Sequence, residues 1–403
     1  MNLNRRLLWL PICCLAVWHL AADLRGEEPR LALHPTSSKP EPVPPTSVSQ
    51  IKSAIDRGVA FLLKDQNRDG SWGTAERTKN LNIYAPLPEA HLDYRAGVTA
   101  LCVQALLETH DQSKEALAAM DRGESWLFDN LPHLRRSSPD VLYNVWGHGY
   151  GIQTLVAMYR AKPDDAERCK RIRDQIAQQI AMLTRFEAVD GGWGYYDFTF
   201  HTQRPAADTA SFMSAAVLLA LHDAKEIGAD VPKKIVDRAI ASINRQQKGD
   251  LSYLYGEYLR NEPVLSINLP ESSLGRTQAC NAALRVWGDE RLTDDMLAVC
   301  LDRLFSRNIW LDIGRKRPVP HESFFAVAGY FYYFGHYYAA RCIELLPPDH
   351  RAPQQQQLAY RLIQLQEKDG SWWDYPLYNY HQQYGTAFAI MSLERCLPGK
   401  PAP

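Results

Sequence analysis

Gln66-Asn67-Arg68-Asp69-Gly70-Ser71-Trp72-Gly73 recurs near the other end of the chain as Gln366-Glu367-Lys368-Asp369-Gly370-Ser371-Trp372. Each copy follows an apolar pattern at helical spacing. Two copies of Gln-x-x-Asp-Gly-Ser-Trp mark a chain built from repeats, which have to be found before any fold is assigned. In physical terms Asp-Gly-Ser is a helix stop and a turn. Gly takes the left-handed conformation, and Asp or Ser bonds to nearby backbone. The Trp is then free to cover the end of a neighbouring helix, so Trp72 and Trp372 are expected to serve stability.

Working outward, each unit pairs an amphipathic helix with a more apolar helix rich in small residues. The pairs are 51–64 with 96–108, 113–130 with 148–160, 168–185 with 208–224, 232–247 with 273–286, 293–306 with 322–346, and 354–366 with 384–396. The third turn, Asp190-Gly191-Gly192-Trp193-Gly194, is close to the motif. The fourth, Gln247-Lys248-Gly249-Asp250-Leu251-Ser252-Tyr253, is degraded, with Tyr for Trp. In the second unit only Trp146-Gly147 survives. Period-two strand patterns are nearly absent. The expected fold is all-α: a closed α6–α6 toroid of six helix pairs over 51–397, with the apolar helices inside. The stretch 323–340 lacks Asp, Glu, Lys and Arg, but its Tyr and His content makes it a buried core helix and not a membrane span.

Residues 1–26 have a basic start, a short apolar run and small residues, the pattern of a secretory signal. The chain is therefore expected to be exported, periplasmic or extracellular. Residues 27–50, rich in Pro, Ser, Thr and Glu, read as a disordered spacer. With 45 Lys and Arg against 46 Asp and Glu, nothing points to a nucleic-acid partner. Beyond the signal six cysteines are scattered without Cys-x-x-Cys: Cys102, Cys169, Cys280, Cys300, Cys342 and Cys396.

The repeated motif after an outer helix resembles that of the terpenoid cyclases and protein prenyltransferases, notably the squalene–hopene cyclases, across residues 50–397. The resemblance implies an α/α barrel with an apolar cavity for an isoprenoid or other long apolar ligand. It also implies a protonating acid at the middle Asp of Asp-x-Asp-Asp-Thr-Ala. The matching stretch is Pro205-Ala206-Ala207-Asp208-Thr209-Ala210. Asp208 fits the last Asp, while Ala207 stands at the proton donor. Asp208 is also suited to cap a helix. The prenyltransferase side of the resemblance implies zinc held by Asp, Cys and His. Here Gln278-Ala279-Cys280, His336 and Asp208 stand at comparable places, with Gln278 where an Asp belongs, so the expectation is no cofactor unless this set gathers.

The starts of the apolar helices carry Asp93 and Arg95, His148, Asp208, Arg276, His336 and His381. In a closed toroid they gather at one end, beside Trp146, Trp193, Tyr195, Tyr196, Tyr332, Tyr333, Tyr337 and Tyr384. A polar ring over an aromatic well is the form of a ligand pocket. The expected catalytic set is Asp208, His148 and His336. The expected ligand contacts are Asp93, Arg95, Trp146, Arg276, Tyr332, Tyr337, His381 and Tyr384. Three functions compete: an isoprenoid-binding, cyclase-like protein, with room for peripheral membrane contact; a non-catalytic exported scaffold; and a polysaccharide lyase using His or Tyr as base and Arg as counter-ion. No Cys-Gly-Glu-Gln occurs, which excludes thioester chemistry.

Overall fold

The structure is a computed structural model and describes residues 31–79, 88–197, 205, 208–322 and 324–399. The signal-like segment and Ala207 lie outside the described residues. Among the described residues there are helices and isolated bridges but no extended strand. The helices are α1 (Val48–Asp65), α2 (Pro88–Thr109), α3 (Lys114–Asn130), α4 (Asn144–Ala161), α5 (Ala166–Phe186), α6 (Ser211–Glu226), α7 (Lys233–Gln246), α8 (Leu274–Val286), α9 (Asp294–Ser306), α10 (Asn308–Gly314), α11 (Phe331–Leu345), α12 (Pro348–Gln364) and α13 (His381–Glu394). α2, α4, α6, α8, α11 and α13 touch in that order, and α13 returns to α2. This is the inner ring of an α/α toroid. Outer helices each seat on the inner helix of the preceding unit: α3 on α2, α5 on α4, α7 on α6, α9 on α8, α12 on α11 and α1 on α13. Helix character follows. α7 buries one stripe, Ile235, Val236, Ala239 and Ile243, whereas α6 is buried without a break from Ser211 to Leu221.

The repeated turn joins consecutive units. Asp69 Oδ1 accepts the Ser71 backbone N–H (3.1 Å) and hydroxyl (2.7 Å), and Asp369 does the same for Ser371. The Trp72 indole N–H donates to the Leu62 carbonyl of α1 (2.8 Å), and its backbone N–H donates to Thr99 of α2 (3.0 Å). Trp193 repeats this with Leu183 and Ser214, and Trp372 with Leu362 and Thr386. All three indoles are fully buried. The turn also grips the next outer helix. Gln66 Nε2 donates to the Ala119 carbonyl of α3, and Gln366 Nε2 to the Ala54 carbonyl of α1. At Gly70, Gly191 and Gly370 the φ angle lies between 89° and 92°. A Cβ at these positions would stand 2.4, 2.6 and 2.4 Å from the carbonyl oxygens of Arg122, Arg238 and Arg57.

The fourth turn keeps the hydrogen bonds but not the residues. Asp250 holds Ser252, Tyr253 donates its backbone N–H to Ser273, and Leu251 takes φ 58° where the other copies have Gly. At this weakened joint the N-terminal segment intervenes. Residues 31–47 have no regular secondary structure but lie against the barrel, so they are not a detached spacer. His34 donates its N–H to Gly249 (2.7 Å), and Arg303 of α9 donates to the Thr36 carbonyl (3.1 and 3.0 Å). Lys39 pairs with the buried Asp302 (2.7 Å), and Gln357 reaches the Glu41 carbonyl. Polar composition marked this segment as unable to form a core of its own; it gains order from the carbonyls it offers to side chains already buried.

Several boundaries differ from the sequence reading. Trp146 is not a turn Trp, because α4 begins at Asn144 and places it in the first helical turn. The long fifth inner helix begins only at Phe331, after the short α10. Asp208 does not cap α6: Ala210 holds the N-cap position without a side-chain bond. Among the described residues no helix is long and apolar enough to cross a membrane. The six described cysteines are buried and unbridged.

Trp72→Ala and Trp372→Ala are each expected to cost about 3–5 kcal/mol, read by denaturant unfolding. Gly370→Ala should destabilise clearly more than Gly228→Ala. Both glycines have positive φ, but nothing stands within 4 Å of a Cβ at Gly228, so the difference measures the clash with the Arg57 carbonyl. Deleting residues 1–46 leaves the buried Arg303 without its acceptor and should cost about 1–3 kcal/mol; an unchanged melting temperature would contradict that role.

Candidate functional site

Every unit places a tyrosine where its chain enters the inner ring. They are Tyr94 in α2, Tyr143 before α4, Tyr195 and Tyr196 before α6, Tyr255 before α8, Tyr330 before α11, and Tyr375 and Tyr380 before α13. The hydroxyls of Tyr143 and Tyr196 are bonded, as are those of Tyr195 and Tyr255. Tyr255 continues to Tyr330 (3.0 Å), whose hydroxyl meets His321 Nε2 (3.0 Å). Ring contacts extend the belt through Tyr94–Tyr143 (4.8 Å), Tyr94–Tyr380 (5.6 Å) and Tyr330–Tyr375 (5.5 Å). Burial raises the phenols of Tyr195 and Tyr330 above their ordinary value, so the belt is neutral and can donate and accept.

Inside the belt lies a second set of aromatic rings. Trp146 stacks on Tyr150 (5.5 Å) and Phe212 (6.2 Å), and Phe212 meets Phe331 (4.9 Å). Trp146 of α4 also touches Phe334 of α11 edge-on (6.2 Å). These two helices face each other across the inner ring, so the lumen is bridged at this depth. The result is an aromatic cup and not a deep well. Trp146, Tyr94, Tyr195, Tyr196 and Tyr330 keep partial exposure, while Phe212, Phe331 and Phe334 are buried beneath.

Of the expected site residues, Trp146, Tyr195 and Tyr196 belong to this cup. His148 does not reach it. Its Nδ1 lies 2.6 Å from Gln179 of outer helix α5, and its ring stacks on Phe186. His336 also faces outward: it bonds the Tyr332 carbonyl (2.7 Å) and Asn308 (3.0 Å) and lies near Phe305 of α9. The inner helices begin earlier than the apolar pattern suggested around His148, and His336 lies a full turn inside α11, so both sit below the mouth. His381 bonds the Tyr378 carbonyl and packs on Trp373. Burial lowers all three imidazoles to about 4, so they are neutral.

The expected arginines are engaged by protein. Arg95 binds Ser71 (2.8 Å) and Asp69 of the first turn. Arg276 is buried, donates to the carbonyls of Ser272, Tyr253 and Ile267, and lies 5.4 Å over Tyr255. Tyr332 stacks on His336 and donates to Asn308, away from the lumen. Trp193 is a turn Trp, and Tyr333 contacts Tyr332 at the α11 start. Tyr337 lies deeper, against Phe388 and Arg395. Asp208 is half-buried at the rim near Tyr258.

Two buried carboxyls stand out. Neither oxygen of Asp93 has a hydrogen-bond partner, and burial raises its pKa to about 9. Asp374 accepts the Tyr384 hydroxyl (2.5 Å) and the Tyr333 backbone N–H (3.0 Å), which caps α11 from another unit. Burial raises it to about 7. Sequence reasoning missed Asp374, and it missed the belt members Tyr94, Tyr143, Tyr255, Tyr330, Tyr375 and Tyr380. The available signal was positional: a tyrosine shortly after each turn, at the entrance to each inner helix.

The zinc set does not gather. Gln278 donates to the Cys300 carbonyl (3.1 Å), burial pushes the Cys280 thiol up to about 12, and His336 is held by Asn308. Among the described residues no group of three His, Cys, Asp or Glu side chains could hold a metal ion.

The fold and its turns define an α/α toroid of the cyclase type. The sequence matches the squalene-hopene cyclase C-terminal domain family over residues 43–259, more than half of the chain, and the protein belongs to that family. No curated protein matches the sequence. Among solved structures, an inactive variant of the alpha-1,6-mannanase GH76A of Salegentibacter, in complex with alpha-1,6-mannotriose, shares 10% identity at a TM-score of 0.54, covering 86% of this chain and 98% of its own. A possible GH105 family member from Klebsiella pneumoniae gives 12% and 0.52, with coverage of 88% and 94%. The type II terpene cyclase MstE from Scytonema gives 16% and 0.46, with coverage of 87% and 98%. At these identities the first two establish the barrel fold alone.

The buried neutral groups set a pH response. Asp374 and Asp93 have raised pKa values, so their contribution is complete below 3.8 and is lost as pH climbs through about 7 and about 9. The three imidazoles are lowered, so theirs is complete above 6.5 and is lost as pH falls through about 4. The melting temperature is expected to decline from about pH 7 toward pH 9, where the imidazole contributions are complete and Asp93 is still titrating. Asp93→Asn should flatten that decline, as followed by thermal denaturation across the range.

Proposed function

We propose that the protein binds one end of an isoprenoid or other long apolar molecule in the aromatic cup and does not protonate it. The observation that carries this is the belt of bonded tyrosine hydroxyls around the partly exposed Trp146, above buried Phe212, Phe331 and Phe334. Such a cup offers polarisable faces to an alkene chain and hydroxyls to a polar head group. Alkene protonation needs a carboxylic acid aimed into the lumen, and alanine at position 207 removes the acid that the family pattern puts there.

A route for an apolar ligand is supported by the rim. The loops that carry Tyr255 and His321 also expose Tyr258, Val264 and Phe324, with Ile309 and Trp310 nearby; Val264 is 82% and Phe324 75% exposed. Contact of this rim with a membrane surface would deliver such a molecule to the cup of an exported protein. The lyase reading has less support, because His148 and His336 are turned toward outer elements and away from the cup. A non-catalytic scaffold is favoured by one observation, the Trp146–Phe334 contact that fills the axis.

Organic extraction and mass spectrometry of the purified mature protein should release an isoprenoid-type lipid, and farnesol added to stripped protein should raise its melting temperature. A Trp146→Glu variant should carry none and show no shift. An empty wild-type protein that farnesol leaves unshifted would sink the ligand reading in favour of the scaffold.

A further inference from the structure

His321 stands at one end of a string of hydrogen-bonded side chains, and its protonation fixes which way the string points. Its Nδ1 lies 2.7 Å from the Ala326 carbonyl oxygen. A carbonyl only accepts, so Nδ1 carries the proton. A neutral imidazole has one N–H, which leaves Nε2 as a bare acceptor. Burial, and after it the charge of Arg276 on α8, lower the His321 pKa and keep the ring neutral. The ring is held on both sides, edge-on to Tyr255 (5.2 Å) and to Tyr330 (6.1 Å), and the His321 backbone N–H donates to the Val327 carbonyl (3.3 Å). His321 and Ala326 both keep left-handed backbone, with φ 66° and 48°. Such conformations persist where the surrounding structure imposes them, and they cluster at functional sites.

The other protons follow in order. The Tyr330 hydroxyl, 3.0 Å from Nε2, has to donate to it. A phenol has one proton, so Tyr330 then accepts from Tyr255 (3.0 Å), and Tyr255 in turn accepts from Tyr195. Every hydroxyl of the string points toward His321, and each bond polarises the next. Tyr195 gives its proton to the string and accepts from no other member of it. Tyr195 is partly exposed, and its ring packs on Phe212 (5.9 Å), which stacks with Trp146. The string therefore ends beside the aromatic cup as an acceptor, and a head group that matches it has to donate.

We propose that His321 sets the head-group specificity of the aromatic cup: through the string it makes Tyr195 an acceptor, so that the ligand is a long apolar alcohol and not the matching aldehyde, ether or carboxylate. This rests on the cup reading above, and His321 is a positioning residue because it acts through three tyrosines. Farnesol and farnesal share a chain and differ in having or lacking an O–H. Both are titrated calorimetrically into the lipid-stripped protein. Farnesol is expected to bind about tenfold tighter, the order of one hydrogen bond to a buried acceptor. In His321→Phe the string loses its fixed end and the preference should largely disappear. Tyr330→Phe breaks the string one link further on and should do the same, so one folded variant is enough. The wild-type preference should also shrink as pH falls below the ordinary imidazole value, where a charged His321 donates from both nitrogens and the string reverses. In His321→Phe the ratio should not move with pH. Equal binding by the wild type, tighter binding of farnesal, a wild-type ratio flat into the acid range, or a preference that either folded variant retains overturns the inference and leaves the cup standing. If neither molecule binds, the cup reading itself fails and takes this inference with it.

Discussion

The barrel rests on the approach of one glycine to one carbonyl. In three of the turns the Asp-Gly corner brings the chain so close to the next outer helix that a Cβ would stand 2.4–2.6 Å from an arginine carbonyl. That approach lets a Gln or Glu at the start of the turn reach the same helix. Gln66 meets Arg122, Gln366 meets Arg57, and Glu187 meets Arg238. The indole then fills the space behind. Gly58 and Gly123 stand where a Cβ would come 2.9 and 3.0 Å from the rings of Trp372 and Trp72. Glycine on the turn and glycine on the receiving helix are two halves of one joint. The ring closes because the last unit meets the first through the same joint that links the first to the second.

This explains what was legible in the sequence. Helix type and pairing follow from apolar spacing, and the turn residues have fixed conformational and hydrogen-bonding needs, so the toroid could be read from residues alone. The site was less legible. Spacing tells which residues share a face of a helix, but an inner helix is buried on every face, so it does not say which face looks into the lumen. His148 and His336 fell on the outward face for that reason. Helix starts were misjudged where Pro88 opens α2 and Gly329 precedes α11, and a shift of a few residues turns a side chain from rim to core. The tyrosine belt was hidden because all its members but Tyr94 lie in connections without periodicity.

The two ends of the inner ring solve the same problem with different chemistry. Six helix starts converge at one end, and phenol rings fill the gap between them while satisfying one another. At the other end the helices present carbonyls, and arginines from α11 and the end of α13 sit among acids from α2, α6 and α11. Cations at helix C-termini are favoured by the helix dipole, which suits Arg341 and Arg395 to that end. The aromatic end is lined by rings, and the other end is tied together by ion pairs between inner helices.

The fourth turn shows how such a ring tolerates decay. Leu251 holds a left-handed conformation that costs an ordinary residue about 1–2 kcal/mol, and Tyr253 replaces the indole. The damaged joint is bridged from outside by the strand of chain that carries Thr36. An open repeat array would fray from such a fault, since each repeat contacts only its neighbours. A closed ring has no free end to fray from, and a single strap across one seam is shared by all six. The residues around Thr36 thus act as a hoop on a barrel: they add no stave, and they let one stave be poorly cut.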